Sequence, residues 1–255
     1  MTIRGEGGDA VDVPDESDDN SRPTQRDAVR DITVSVERMD GGPRLVIEQA
    51  QSLAYDFFTR DASAVGDKAY DAQVGLTDPN RVTVADVVAI NTTMRARSPH
   101  TAWELLTAAP EPLSWLVAIP PDASLFRMGD DEWQALRPVL AQALAAAIGP
   151  YRNLSVATKV LHLKRPWLFP VLDSLVLQQL GGLGRPHLDV LGHLRSVGVA
   201  NRKALDLIAV SLAQAGLRPR SDVRVMDALL WSSHPAAGLA GELGGWEHAI
   251  RPATR

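Results

Sequence analysis

From Arg44 onward, apolar residues return every third or fourth position. Leu45, Ile47, Ala50, Leu53, Ala54, Phe57 and Phe58 keep this spacing, which lays one buried stripe along a helix. Thr83 and Asp86 have the spacing of a capping box, so a second helix is expected to start there with Val84, Val87, Val88 and Ile90 inward. The same periodicity predicts helices over about 99–108, 112–118, 131–148, 155–165, 174–180, 187–197, 201–215 and 222–233. Only Ile32 to Val36 alternates as a strand or extended arm would, and the Gly41-Gly42-Pro43 turn ends it. The expected fold class is all-α: a compact multi-helix domain with short connections.

Composition sets the ends of that domain. Residues 1–28 hold eight acids against three arginines and few large apolar side chains, so they are expected to form a disordered acidic tail. The helical domain then spans 29–233, and the glycine-rich segment 234–255 is expected to pack loosely, with Trp246 against the surface. The net charge of −5 is carried by the tail alone; the rest of the chain has 23 acids and 23 bases. An overall basic footprint of the nucleic-acid-binding kind is therefore missing from the folded part.

The chain has no cysteine, which excludes disulfides, iron–sulfur clusters, thiolate zinc sites and a cysteine nucleophile. Six histidines show no metal-ligand spacing, so no metal and no cofactor is expected. No apolar run reaches the roughly 18 residues of a membrane span, and the first residues lack the order of a secretory signal. A cytoplasmic location, away from the membrane, is the resulting expectation.

The most informative stretch runs from Gly149 to Leu180. Ser155 to Arg165 reads as a helix with Ser155 as its N-cap, and Pro166 stops it. An apolar crossing, Trp167 to Leu172, leads to Asp173 at the start of the next helix, where Leu175, Val176 and Leu180 form the buried side. Gly181-Gly182-Leu183-Gly184 then suits a helix C-cap and turn.

This stretch resembles the core of the helix-hairpin-helix DNA glycosylases. Val156-Ala157 and Val160-Leu161 fall on that superfamily's T-A-x-x-I-L, and Pro170 to Val176 fall on its P-V-x-D-x-x-V. The resemblance implies a glycosylase-like helical core that contacts DNA or a nucleotide, with Asp173 as the catalytic aspartate of a monofunctional N-glycosidic cleavage. The family's G-V-G hairpin falls on Tyr151-Arg152-Asn153, where both glycines are absent, and its lyase lysine falls on Ser155. The chain also resembles an uncharacterised bacterial family with a K-x-L-x-x-K-R-P-x-L-x-P-V-x-D core. That family has an upstream D-P-N-R-x-T loop, here Asp78 to Thr83, and a downstream helix, here Val223-Arg224-Val225-Met226-Asp227 with Trp231.

Each candidate residue has a functional and a structural reading. Asp173 is either a carboxylate held ionised by the helix N-terminus to stabilise an oxocarbenium-like charge, or a plain N-cap. Arg152, Lys159, Lys164 and Arg165, with Arg185, are either phosphate contacts or cationic stems lying along the core's edge. Trp167 either stacks on a base or belongs to the core. His162 is either a proton shuttle or a surface or capped histidine. At the level of the whole domain, the alternative to the glycosylase-like reading is a non-catalytic binding or regulatory module, serving protein interaction or structure, that retains the fold only.

Overall fold

The computed structural model describes residues 32–59, 70–93, 114–149 and 154–237. Strands β1 (Val34–Val36) and β2 (Leu45–Ile47) form an antiparallel hairpin, with Val34 opposite Ile47 and Val36 opposite Leu45. Helices follow in the order α1 (Ala50–Thr59), α2 (Val84–Thr93), α3 (Ser114–Val117), α4 (Asp130–Ile148) and α5 (Leu154–Lys164). After them come α6 (Ser174–Leu180), α7 (His187–Ala200), α8 (Arg202–Gln214) and α9 (Asp222–Ser232). The described fold is mostly helical, with one two-stranded sheet.

Two local expectations are corrected. Leu45 and Ile47 belong to a strand and not to the first helix; Gln49, at φ 49, breaks the backbone before Ala50 starts α1. In α2 the capping box is present: Thr83 N–H and hydroxyl donate to Asp86 Oδ2 at 2.6 and 2.8 Å. That helix buries Ala89 and Ile90, while Val84 and Val88 turn outward at 65% and 52% exposure. The predicted helix at 99–108, the acidic tail, the 151–153 hairpin position and Trp246 lie outside the described residues. Of the C-terminal segment, 234–237 are described and Ala237 is buried.

The core is organised by α5 and α9, which are buried along nearly their whole length. Helix α9 packs on α1, α6 and α8, and α5 lies between α4 and α2. A helix enclosed on all sides is expected to be apolar all round. These two are not: Thr158, Lys159, His162 and Lys164 lie on α5, and Asp222, Arg224 and Asp227 lie on α9. Buried polar groups must be hydrogen-bonded, and their partners define the site.

Candidate functional site: an internal polar frame with one open edge

Lys164 and Arg165 end α5 and point inward. The Lys164 ammonium has three protons, and they go to Thr77 Oγ1 (2.8 Å), the Asp78 carbonyl (2.9 Å) and Asp86 Oδ2 (2.6 Å). Both side chains of the Lys164–Asp86 ion pair are fully buried. Burial pulls the Lys164 pKa down, and the Asp86 carboxylate opposes that shift. The Arg165 guanidinium has five N–H groups. They reach the carbonyls of Ile119, Pro79, Lys164 and Leu116 and the Asn80 side chain. The two cations expected to face phosphate instead hold the 77–80 loop against the end of α5.

The crossing 166–173 folds back along α5 and has no secondary structure to satisfy its backbone. Side chains from α5 and from α9 with its cap do so. Ser221, the N-cap of α9, donates to the Pro166 carbonyl at 2.7 Å. His162 Nδ1–H donates to the Phe169 carbonyl at 2.6 Å. Asp227 Oδ2 accepts from Val171 N–H at 2.8 Å, and Thr158 Oγ1 accepts from Leu172 N–H at 3.0 Å. His162 is thus a core residue, stacked on Tyr70, and not a surface histidine. Desolvation lowers its pKa from 6.5 to about 4.

Arg224 of α9 completes the frame. Its guanidinium donates to Asp71 at 3.0 Å and Asp227 at 2.6 Å and lies 5.1 Å from the Phe57 ring centroid. Trp231, the last residue of the downstream motif, meets the same ring edge-on at 5.8 Å. The three motifs singled out in the sequence are therefore neighbours. The α5 cations clasp the 78–83 loop, and the α9 acid holds the crossing that leads to Asp173.

Asp173 is the N-cap of α6: its Oδ1 accepts from Leu175 N–H and Val176 N–H, each at 3.0 Å. The side chain is half-buried, and Oδ2 has no hydrogen-bond partner among the described residues. Burial raises its pKa, while the two amides and the nearby Lys159 ammonium pull the other way. Desolvation outweighs the amides, so the pKa lies above the ordinary carboxylate value. Lys159 is 9% exposed, and its backbone carbonyl accepts from Tyr70 Oη at 2.6 Å. Ser155 lies inside the first turn of α5, not at its cap.

Trp167 is 39% exposed, so it is not a core aromatic. It sits beside the C-terminal end of α5, whereas Asp173 lies beside Thr158, about 10 Å away along the helix. Trp167 and Asp173 do not converge. Arg152 falls outside the described residues.

At the other end of α6, Gly181 takes the left-handed conformation (φ 64) of a Schellman cap, with Gly182 N–H donating to the Leu177 carbonyl at 2.8 Å. The segment after β1 clips onto this cap. Met39 N–H donates to the Leu180 carbonyl, and Arg38 Nη1 donates to the carbonyls of Gln178 and Gln179. A cleft of about 470 Å³ opens here, lined by Arg38, Asp40, Gln178, Gln179, Arg185 and His234 among others. His234 also connects the cleft with the front of α6, since burial lowers its pKa while the Asp173 carboxylate acts in the opposite direction. Sequence reasoning missed Gln178 and His234, because a glutamine on a short helix and a lone histidine after one carry no motif.

Fold and frame together define a helical domain whose ionic motif residues serve its interior. Residues 50–234 match the model described as "Family of unknown function (DUF6308)", and the chain belongs to that family. No curated protein and no solved structure matches it. Among the described residues there is no group of His, Cys, Asp or Glu side chains able to hold a metal ion, and no helix long and apolar enough to cross a membrane.

Proposed function

We propose that this domain is a non-catalytic binding module built on a glycosylase-like scaffold, and that it contacts a nucleotide, free or exposed in DNA, along the face of α6. The observation that carries the reading is the state of Asp173. One oxygen is locked by two amides and the other has no hydrogen-bond partner among the described residues. Such a carboxylate is oriented to accept from a base amino group. The inward direction of Lys164 and Arg165 favours a nucleotide-sized ligand over a duplex, because it removes two of the cations a phosphate track would need.

Asp173→Asn tests the reading cleanly, since asparagine caps a helix about as well as aspartate. Fluorescence anisotropy with mononucleotides and short oligonucleotides at low salt should show binding by the parent. The variant should bind roughly tenfold more weakly with its urea midpoint unchanged. Absence of any binding by the parent would leave a protein-interaction or structural role in its place. A second reading, monofunctional N-glycosidic cleavage, is favoured by the desolvated position of the carboxylate, whose charge acts on a developing cation more strongly there than in water. Base release from damaged duplexes by the parent, lost in Asp173→Asn, would replace the non-catalytic reading with this one.

A further inference from the structure

The cleft at the C-terminal end of α6 has a defined hydrogen-bonding polarity. Ala236 N–H donates to His234 Nδ1 at 3.1 Å, so the ring proton is on Nε2, which faces Gln178 Oε1 at 3.2 Å. That fixes the Gln178 amide with its NH2 group turned away from the histidine. Gln179 is fixed in the opposite sense: its Nε2 donates to Ser233 Oγ at 3.0 Å, leaving Oε1 without a donor among the described residues. One amide therefore offers donors and its neighbour an acceptor.

The charges are equally definite. Arg38 and Asp40 neutralise each other through two hydrogen bonds, of 3.0 and 2.5 Å, which hold the Asp40 pKa down at about 2. The Arg185 side chain makes a single hydrogen bond among the described residues, Nη2 to the Met39 carbonyl at 3.3 Å, and the residue is exposed. Among the described residues that line the cleft, Arg185 is thus the cation without a carboxylate partner. Leu183, 57% exposed, supplies an apolar wall. The volume falls in the usual small-ligand range of roughly 300–1,000 Å³.

We propose that this cleft binds an adenine nucleotide: the phosphate on Arg185, the ring against Leu183, and the donor–acceptor edge of the base on Gln178 and Gln179. Glutamine pairs with adenine because the base presents an acceptor nitrogen beside an amino donor, whereas guanine presents two acceptors on its N7 edge. The inference rests on the reading above that the domain binds a nucleotide on α6, and it moves the base contact from the Asp173 carboxylate to the C-terminal end of that helix.

Calorimetry on the full chain with AMP, GMP, adenosine, inorganic phosphate and a 5′-phosphorylated oligodeoxyadenylate tests it. AMP should bind roughly 10- to 100-fold more tightly than adenosine and about tenfold more tightly than GMP. Arg185→Gln should reduce AMP to the affinity of adenosine, and Gln178→Leu should erase the preference over GMP. Both side chains lie at the cleft surface, and unchanged urea midpoints will show that the variants are folded. An oligonucleotide that outcompetes AMP and keeps the Arg185 sensitivity would support the cleft and identify its source as a DNA end. Nucleotide binding that ignores both substitutions but falls in Asp173→Asn overturns the cleft and spares the wider reading. No binding of any nucleotide or oligonucleotide overturns both.

Discussion

Burial decides the protonation state of His162. The ring is 1% exposed, donates Nδ1–H to the Phe169 carbonyl and stacks on Tyr70, with Arg224 and Arg220 adding positive potential and Asp71 opposing them. Its pKa is 6.5 when unfolded and about 4 when folded. Between those values the unfolded chain takes up a proton that the folded chain refuses. The contribution is fully present above about pH 6.5 and is lost as pH falls toward 4; a shift of this size corresponds to about 3 kcal/mol. Asp227 has the opposite sign: its pKa is raised from 3.8 to about 7, so its contribution is lost as pH rises through that value. His162→Gln removes the first effect, keeps an N–H donor and leaves the second in place. Urea denaturation near pH 7 and near pH 4 should show the parent losing about 3 kcal/mol more than the variant across that interval. Parallel pH profiles would mean that the ring is not held neutral by its surroundings.

The crossing 166–173 is an element without a regular hydrogen-bond ladder, and its conformation depends on side chains from elsewhere. Thr158 ties its C-terminal half to α5: the hydroxyl accepts from Leu172 N–H and donates back to the Leu154 carbonyl at 2.9 Å. Thr158→Val preserves shape and leaves the buried Leu172 amide without an acceptor, at a cost of about 1–3 kcal/mol. Amide exchange at Leu172 should accelerate with that loss; a stability change below about 0.5 kcal/mol would show that another acceptor takes over. Much of this level was legible in the sequence. Pro166 and Asp173 bracket the crossing where they should, and the boundaries of α4, α6, α8 and α9 fall within two residues of the expected ones. The hairpin was not legible, because Leu45, Ile47 and Ala50 fit a helical face as well as a strand, and nothing local announces the positive φ at Gln49. The direction of Lys164 and Arg165 was hidden for a different reason. A helical wheel places them at the edge of the apolar stripe but contains no trace of the loop 85 residues upstream that they bind.

At the scale of the molecule, three sequence motifs far apart in the chain form one internal frame, and that arrangement determines how the surface interacts with polyanions. Beyond residue 28 the acids and bases balance, and Lys164, Arg165 and Arg224 are enclosed by partners. Binding to nucleic acid is salt-dependent in proportion to the phosphates neutralised: log K falls against log salt by about 0.7 per phosphate on single strands and about 0.9 on duplex. A protein that tracks the backbone with 6–10 contacts is therefore expected to show a slope of about −6 or steeper. This domain offers Arg185 as an open cation beside α6, so its slope for a short oligonucleotide should be no steeper than about −2. Arg185→Gln should lower the steepness by about one unit, and Lys164→Met should leave the slope unchanged even though it destabilises the fold by about 3–5 kcal/mol, because that ammonium never meets solvent. Anisotropy titrations across a salt series, run at temperatures where both variants stay folded, separate these effects. A slope near −6 for the parent would require a track of further cations, either exposed ones such as Arg202, Lys203 and Arg218 or Arg152 outside the described residues, and would place the domain among duplex-tracking proteins.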